Sequence, residues 1–251
     1  MSFLIKIKQK SFFNKHNNDN IIALKNIDIK INHREFVCIV GPSGCGKTTL
    51  MNIIGGLIKS EDQEISIDNK QLNIDKNFGY VFQTSRLLPW LTVRENIELV
   101  CDLNDSNSKK RINDLLKDFD LNDFEDFYPK SISGGMRRKV SLARALVRNP
   151  KILLMDEPFV SLDLPTAENL YKILKKYWEK NYITVILITH NLKEAILLGK
   201  RILFFSKRPG TIVYDYKIKF QSDSFKIDHN DIQSEYNKLN KKFPSLLKGL
   251  L

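Results

Sequence analysis

An apolar run, Phe36-Val37-Cys38-Ile39-Val40, ends directly at Gly41-Pro42-Ser43-Gly44-Cys45-Gly46-Lys47-Thr48, and a helical pattern follows over 47–57. A strand, a glycine loop and a helix in that order constrain the fold more than any other feature. A strand apolar on both faces needs neighbours beside it and helices above and below. The chain supplies them. Residues 152–155 and 184–189 are β-branched apolar runs of buried-strand type, separated by a helical segment over 166–180, and 202–205 is another such run. Shorter strand candidates lie at 65–67 and 80–82, and β-rich pieces at 3–7 and 21–31. From Thr92 to about 127 the pattern is helical, with Val93, Ile97 and Val100 and then Ile112, Leu115, Leu116 and Phe119; 140–148 continues a helix ending before Pro150. The expectation is an α/β chain with a mostly parallel sheet covered on both faces and a helical subdomain inserted at about 92–148.

Its 251 residues, 42% hydrophobic, suit one large domain. A net charge of +11 implies either an anionic partner or lysines that decorate solvated faces; they are scattered and form no long basic block, which gives nucleic-acid binding little support. Cys38, Cys45 and Cys101 are too few and too irregularly spaced for a disulfide framework or a zinc site, which points to a reducing compartment. The start, Met1-Ser2-Phe3-Leu4-Ile5-Lys6, lacks an apolar core of signal-peptide length. No stretch approaches the roughly 18 apolar residues of a transmembrane helix. A soluble protein is expected, with any membrane role exercised through partners. Residues 215–251 are polar, with an amphipathic helix pattern near 231–242 and no readable chemistry.

The segment from Gly41 to Thr48 fits G-x-x-x-x-G-K-[ST]. Glycines let the backbone curl until successive N–H groups face phosphate oxygens, and the following helix adds its positive end. Lys47 is expected to reach the β- and γ-phosphates and the Thr48 hydroxyl to ligate Mg²⁺. A plain glycine turn would leave the strand before it and the helix after it unexplained. Ile152-Leu153-Leu154-Met155-Asp156-Glu157 is an apolar strand ending in two carboxylates, at the tip where ligands bind in parallel sheets. Asp156 is suited to the magnesium shell, and Glu157 to polarising a water for in-line attack. Ser133-Gly134-Gly135-Met136-Arg137 is a second glycine-rich turn opening a helix, hence a second anion site. One chain with one phosphate loop has no evident use for it, unless it serves a nucleotide held mainly by another copy.

From about residue 21 to 212 the chain resembles the ATP-binding subunit of ABC transporters. The resemblance implies a P-loop NTPase core with a mostly parallel sheet, an N-terminal antiparallel β subdomain and the inserted helical subdomain, all in one ABC domain over 1–251. It assigns ATP contacts to Gly41, Pro42, Ser43, Gly44, Cys45, Gly46, Lys47, Thr48 and Thr49. Ser133, Gly134 and Gly135 match the signature turn, which completes the ATP site of the opposite subunit. Gln83, in Val81-Phe82-Gln83, matches the glutamine that senses Mg²⁺ and links to the membrane subunits. Asp163, in Ser161-Leu162-Asp163, matches the loop that crosses the dimer, and His190 matches the switch histidine at the γ-phosphate. Glu157, His190 and Gln83 thus carry catalysis, and Thr48, Gln83 and Asp156 surround the metal. An aromatic usually stacks on adenine; Phe13 is the candidate here and Phe12 the alternative, with a core role open for either.

The chain also departs from the family pattern. Arg34-Glu35 stands where Gly-Glu is usual, Asn191 replaces the Asp after the switch histidine, and Arg138 replaces a Gln after the signature. A glycine is missing near Gln63, and Asn69 stands in for another. Leu87-Leu88-Pro89-Trp90-Leu91-Thr92-Val93-Arg94-Glu95-Asn96-Ile97 and Phe205-Ser206-Lys207-Arg208-Pro209-Gly210 resemble importers of the nitrate, sulfonate, taurine and bicarbonate type, although Pro89-Trp90 also reads as packing for the helical subdomain and Pro209-Gly210 as a plain turn. This subgroup implies a homodimer of ATPase subunits, a transmembrane permease, a solute-binding protein, no nucleic acid, and a peripheral place on the cytoplasmic face of the inner membrane. Thiamine-precursor importers use similar ATPases. A soluble ABC ATPase with a nucleic-acid or ribosome role is a further alternative; such proteins usually carry two fused cassettes or a long coiled-coil insertion, and neither is visible here. A P-loop kinase or GTPase would leave the signature turn without a use.

Overall fold

The computed structural model describes residues 2–14, 18–60, 62–68, 70–71, 78–102, 105–219 and 229–244. The chain forms two compact units, Met1–Ile74 with Thr184–Leu251, and Asp75–Ile183.

The first unit opens with strands β1 (Ser2–Asn14) and β2 (Asp19–Asn32), paired antiparallel with Phe3 opposite Ile31, Ile5 opposite Ile29 and Ile7 opposite Ile27. These six side chains are buried while Lys6, Lys8, Asp28 and Lys30 face out, the period-2 alternation of a sheet with one wet face. Next come β3 (Phe36–Val40), helix α1 (Lys47–Ile54), β4 (Gln63–Ile67) and the short β5 (Lys70–Gln71). β4 pairs with β1 and β5 with β4, completing the antiparallel layer. Gln63 opens β4 in a strand rather than a glycine-type turn, and Asn69 lies outside the described residues.

The second unit begins with β6 (Phe78–Val81), followed by α2 (Val93–Glu98), α3 (Ser106–Asp118), α4 (Gly134–Leu146), β7 (Ile152–Asp156) and α5 (Leu164–Asn181). β6 and β7 are parallel, with Gly79 opposite Leu153. A Cβ on Gly79 would sit 2.4 Å from the Ala145 carbonyl, so α4 lies directly on β6. Val93, Ile97, Ile112, Leu115, Leu116 and Phe119 are buried, as the helical pattern requires. Thr92 closes a capping box with Glu95 at the start of α2.

The chain re-enters the first unit through β8 (Thr184–Ile188), α6 (Leu192–Leu198), β9 (Arg201–Phe205), β10 (Ile212–Lys217) and α7 (His229–Lys242). β3 is parallel to β8 on one side and β9 on the other, Cys38 lying opposite Leu187 and Ile202. β3 and β8 are buried throughout, the signature of strands covered on both faces. β10 adds antiparallel to β9 and crosses position 215, where the sequence pattern placed the start of a polar extension. Its partial alternation is that of an edge strand, Tyr216 inward and Asp215 and Lys217 outward, and so carries a weak apolar signal. Among the described residues no helix is long and apolar enough to cross a membrane.

Candidate nucleotide site

In the first unit, the backbone of the loop between β3 and α1 needs its glycines. Gly44 and Gly46 have φ of 73° and 106°, where a side chain would be strained. A Cβ on Gly46 would lie 2.7 Å from the Ala23 carbonyl, and one on Gly41 2.7 Å from Phe205 Cβ, so both ends of the loop are pressed against neighbouring strands. Lys47 arches over the curl, donating from Nζ to the carbonyls of Gly41 and Pro42 at 2.8 Å each. Cys45 is buried with its Sγ 3.8 Å from that ammonium, a packing role. No side chain caps α1 and its first turn holds no acid, leaving its leading N–H groups for an anion. Thr48 is exposed and Thr49 half-buried on that turn.

Following β8, the exposed His190 is flanked by a network that runs from the buried Thr189 and Glu194 out to the exposed Asn191. The Thr189 hydroxyl donates to the Glu194 carboxylate and accepts from the Asn191 N–H at 3.0 Å. Asn191 in turn caps α6, its Oδ1 accepting from Lys193 N and Glu194 N. The amide therefore fills the cap that an aspartate would. Phe13 is 59% exposed on β1; Phe12 is 40% exposed with Lys10 Nζ 5.2 Å from its ring centre.

In the second unit, Asp156 ends β7 almost wholly buried, and Glu157 follows at φ 45°. Gln83 Nε2 lies 3.4 Å from Glu157 Oε2, so two residues 74 apart in sequence meet. Burial, with the charge of Asp156 behind it, raises the Tyr80 hydroxyl above its usual range. Arg138, buried on α4, donates to the carbonyls of Phe82 at 2.7 Å and Gln83 at 2.5 Å. Arg144 does the same for Ser85 and Arg86 at 2.9 and 3.0 Å. The backbone beside Gln83 is thus held by two guanidinium groups of one helix. Asn96, fully buried, bonds Leu88 through both N–H and C=O and also reaches the Leu91 and Thr92 carbonyls, bracing the segment that carries Trp90, itself 68% exposed.

Ser133 caps α4, its hydroxyl accepting from Met136 N at 3.1 Å, with Ser133 and Gly134 exposed at the tip. The amides of Gly134 and Gly135 belong to the first turn and have no intrahelical acceptor. A Cβ on Gly135 would be 3.0 Å from Thr166 Cγ2, which puts the start of α5 against this turn. Asp163 caps α5, and the Thr166 hydroxyl and amide hold its carboxyl below the usual carboxylate range. Arg137 folds back to the carbonyls of Ile132 and Pro129.

Sequence reasoning singled out Arg138 only as a departure and passed over Arg144, Glu194 and the reach of Arg208. Arg138, Arg144 and Arg208 all bond backbone carbonyls, the last that of Gly44, while Glu194 accepts from the Thr189 hydroxyl five residues before it; no local pattern in the sequence marks any of these partners.

A parallel α/β core with a lysine-bearing glycine loop between strand and helix defines a P-loop nucleotide hydrolase. Residues 24–160 match the family model described as ABC transporter. The chain belongs to this family of ATP-hydrolysing cassettes. It is 37% identical over 248 residues to the aliphatic sulfonates import ATP-binding protein SsuB of Bacillus thuringiensis subsp. konkukian, covering 98% of this chain and 94% of the relative. It is also 37% identical over 241 residues to the nitrate import ATP-binding protein NrtD of Synechocystis sp., covering 92% and 90%. A dimeric, post-hydrolysis structure of the ATP-binding cassette MJ0796 bound to ADP and Pi superposes with a TM-score of 0.77 at 34% identity, covering 87% of this chain and all of that one.

Proposed function

We propose that the chain is the ATPase subunit of a membrane importer for a small anion of the sulfonate or nitrate kind. It works as a homodimer beneath a separate transmembrane permease, at the cytoplasmic face of the membrane, with a solute-binding protein delivering cargo. The domain is single over 1–251, with the helical subdomain at about 92–148 and the segment 215–251 as an extension.

The residues fit a magnesium nucleotide chemically. The loop from Gly41 to Thr49 supplies N–H groups, and Lys47 exchanges two carbonyl acceptors for phosphate oxygens. The Thr48 hydroxyl, the Asp156 carboxylate and the Gln83 amide oxygen are hard donors of the type Mg²⁺ takes. When bound, the ion neutralises charge on the phosphates. Glu157 accepts a proton from the attacking water, Gln83 orients that carboxylate, and His190 steadies the γ-phosphate. Phe13 offers a face for the base. Ser133 keeps a hydroxyl proton to donate, and with the Gly134 and Gly135 amides it meets the γ-phosphate on the loop of the second copy; Asp163 holds the start of α5 beside that turn. Binding of ATP by two chains at once makes it the adhesive between them, and loss of the γ-phosphate releases it.

The observation that carries this reading is the exposed, Ser133-capped and glycine-opened start of α4, a second anion site in a chain with one phosphate loop. The relatives named for sulfonate and nitrate import support the cargo class. Glu157→Gln keeps the shape and removes the base. It should bind ATP normally, hydrolyse it about 100-fold or more slowly, and elute as an ATP-dependent dimer in gel filtration. Wild-type turnover in this variant would remove Glu157 from the mechanism.

A further inference from the structure

The turn between β9 and β10, Ser206 to Thr211, has no part in the mechanism above, yet it forms the outer support of the phosphate loop. Gly210 donates to the Ala23 carbonyl at 2.9 Å and accepts from Lys25 N at 3.0 Å. A Cβ on Gly210 would fall 2.2 Å from the Cys45 carbonyl, so the turn's backbone lies directly on the loop. Ser206 Oγ bonds the Pro209 carbonyl and accepts from Thr211 N, which braces the turn internally. From that base Arg208 reaches back, and its Nε and Nη2 both donate to the Gly44 carbonyl, at 3.1 and 2.8 Å.

Gly44 is one of the two left-handed positions that curl the loop. Its carbonyl and the N–H of Cys45 belong to one planar peptide group, so holding the oxygen outward sets the direction of the N–H. Among the described residues that N–H has only a long contact, 3.4 Å to the Pro42 carbonyl. A two-pronged, permanently charged donor fixes a single oxygen in a way that one ammonium on a flexible stem does not.

We propose that Arg208 is a positioning residue for nucleotide binding: it clamps the Gly44 carbonyl on the outer side of the phosphate loop and thereby aims the loop's amides at the phosphate chain. The proposal rests on the reading of residues 41–49 as the ATP-binding loop. Arg208 touches the loop backbone, so its loss weakens ATP and ADP alike and leaves the hydrolytic groups in place.

The test is nucleotide titration of the purified full chain by calorimetry, with steady-state ATPase assays beside it. Arg208→Ala should raise the Kd for both ATP and ADP about tenfold, the worth of one charge-assisted hydrogen bond, raise KM in step, and keep kcat within about twofold. Arg208→Lys should recover only part of the affinity. Arg208→Met, which retains the side-chain stem, stands in if the alanine variant melts early. Wild-type affinity in the alanine and methionine variants, a fall in kcat at unchanged Kd, or full recovery by lysine would each overturn the clamp. Lys47→Ala separates this from the reading beneath it. If Lys47→Ala abolishes binding while Arg208→Ala binds normally, only the clamp fails; if Lys47→Ala binds ATP normally, the loop assignment itself fails.

Discussion

Arg34 occupies a position that the family usually gives to glycine, and its φ is 64°. A left-handed non-glycine residue costs roughly 1–2 kcal/mol; here the surroundings hold it, with Arg34 N donating to Thr184 Oγ1 at 3.1 Å and Glu35 N to the Asn32 carbonyl. From the sequence the turn had either to avoid positive φ or to tolerate it, and the structure shows that it tolerates it. Cys38 shows the same division. Its place in an apolar run marks it as buried, but only the fold brings the Glu194 carboxylate near it. Burial first, and that negative charge second, push the thiol well above its usual range, so the reactive thiolate stays scarce in the native protein at mildly alkaline pH. Iodoacetamide at pH 8 should therefore leave Cys38 unmodified in the folded chain and alkylate it fully in denaturant. Peptide mass spectrometry reads the result, and equal labelling rates in the two states would contradict the assignment.

Helix α4 does two jobs at opposite reaches. Its N-terminus presents Ser133 as the cap and Gly134 and Gly135 in the first turn, all readable because capping and glycine punctuation act within a few residues. Its body carries Arg138 and Arg144 to carbonyls 55 to 59 positions away. No sequence pattern announces those partners, since a backbone carbonyl is present at every position. Burial lowers the pKa of both guanidiniums, a modest effect on groups that stay charged. Arg138→Ala would leave the Phe82 and Gln83 carbonyls without these donors, at a cost of about 1–3 kcal/mol. Melting should fall by several degrees, on the order of 2–4 °C per kcal/mol for a chain of this size. ATP turnover should fall further than ATP affinity, because Gln83 is misplaced while the phosphate loop is untouched. Arg138→Gln, the residue common elsewhere in the family, should restore part of both. A melting curve and a kcat equal to wild type in the alanine variant would show the bracket to be idle.

At the scale of the whole molecule, the proposed function makes the two anion sites halves of different ATP sites, and activity would then belong to a pair of chains. A variant lacking Lys47 and one with Ser133→Arg should each be inactive alone. Mixed, they form heterodimers in which one site is intact and the other doubly broken. Random pairing should return roughly a quarter of wild-type ATPase activity, half the dimers with one of two sites working. No gain on mixing would mean that each chain completes its own site. By itself the sequence determined the α/β class, the parallel core strands, the phosphate loop, the pair of carboxylates at the end of β7 and the capped signature turn. Each of these is written in local terms: apolar period, glycine at a left-handed position, a capping side chain. Tertiary structure alone decided that Gln83 meets Glu157, that Arg138 and Arg144 hold the segment beside Gln83, and that Arg208 grips the Gly44 carbonyl. Those contacts join residues distant in sequence, most of them to backbone acceptors that every residue carries, so only folding selects which guanidinium reaches which oxygen.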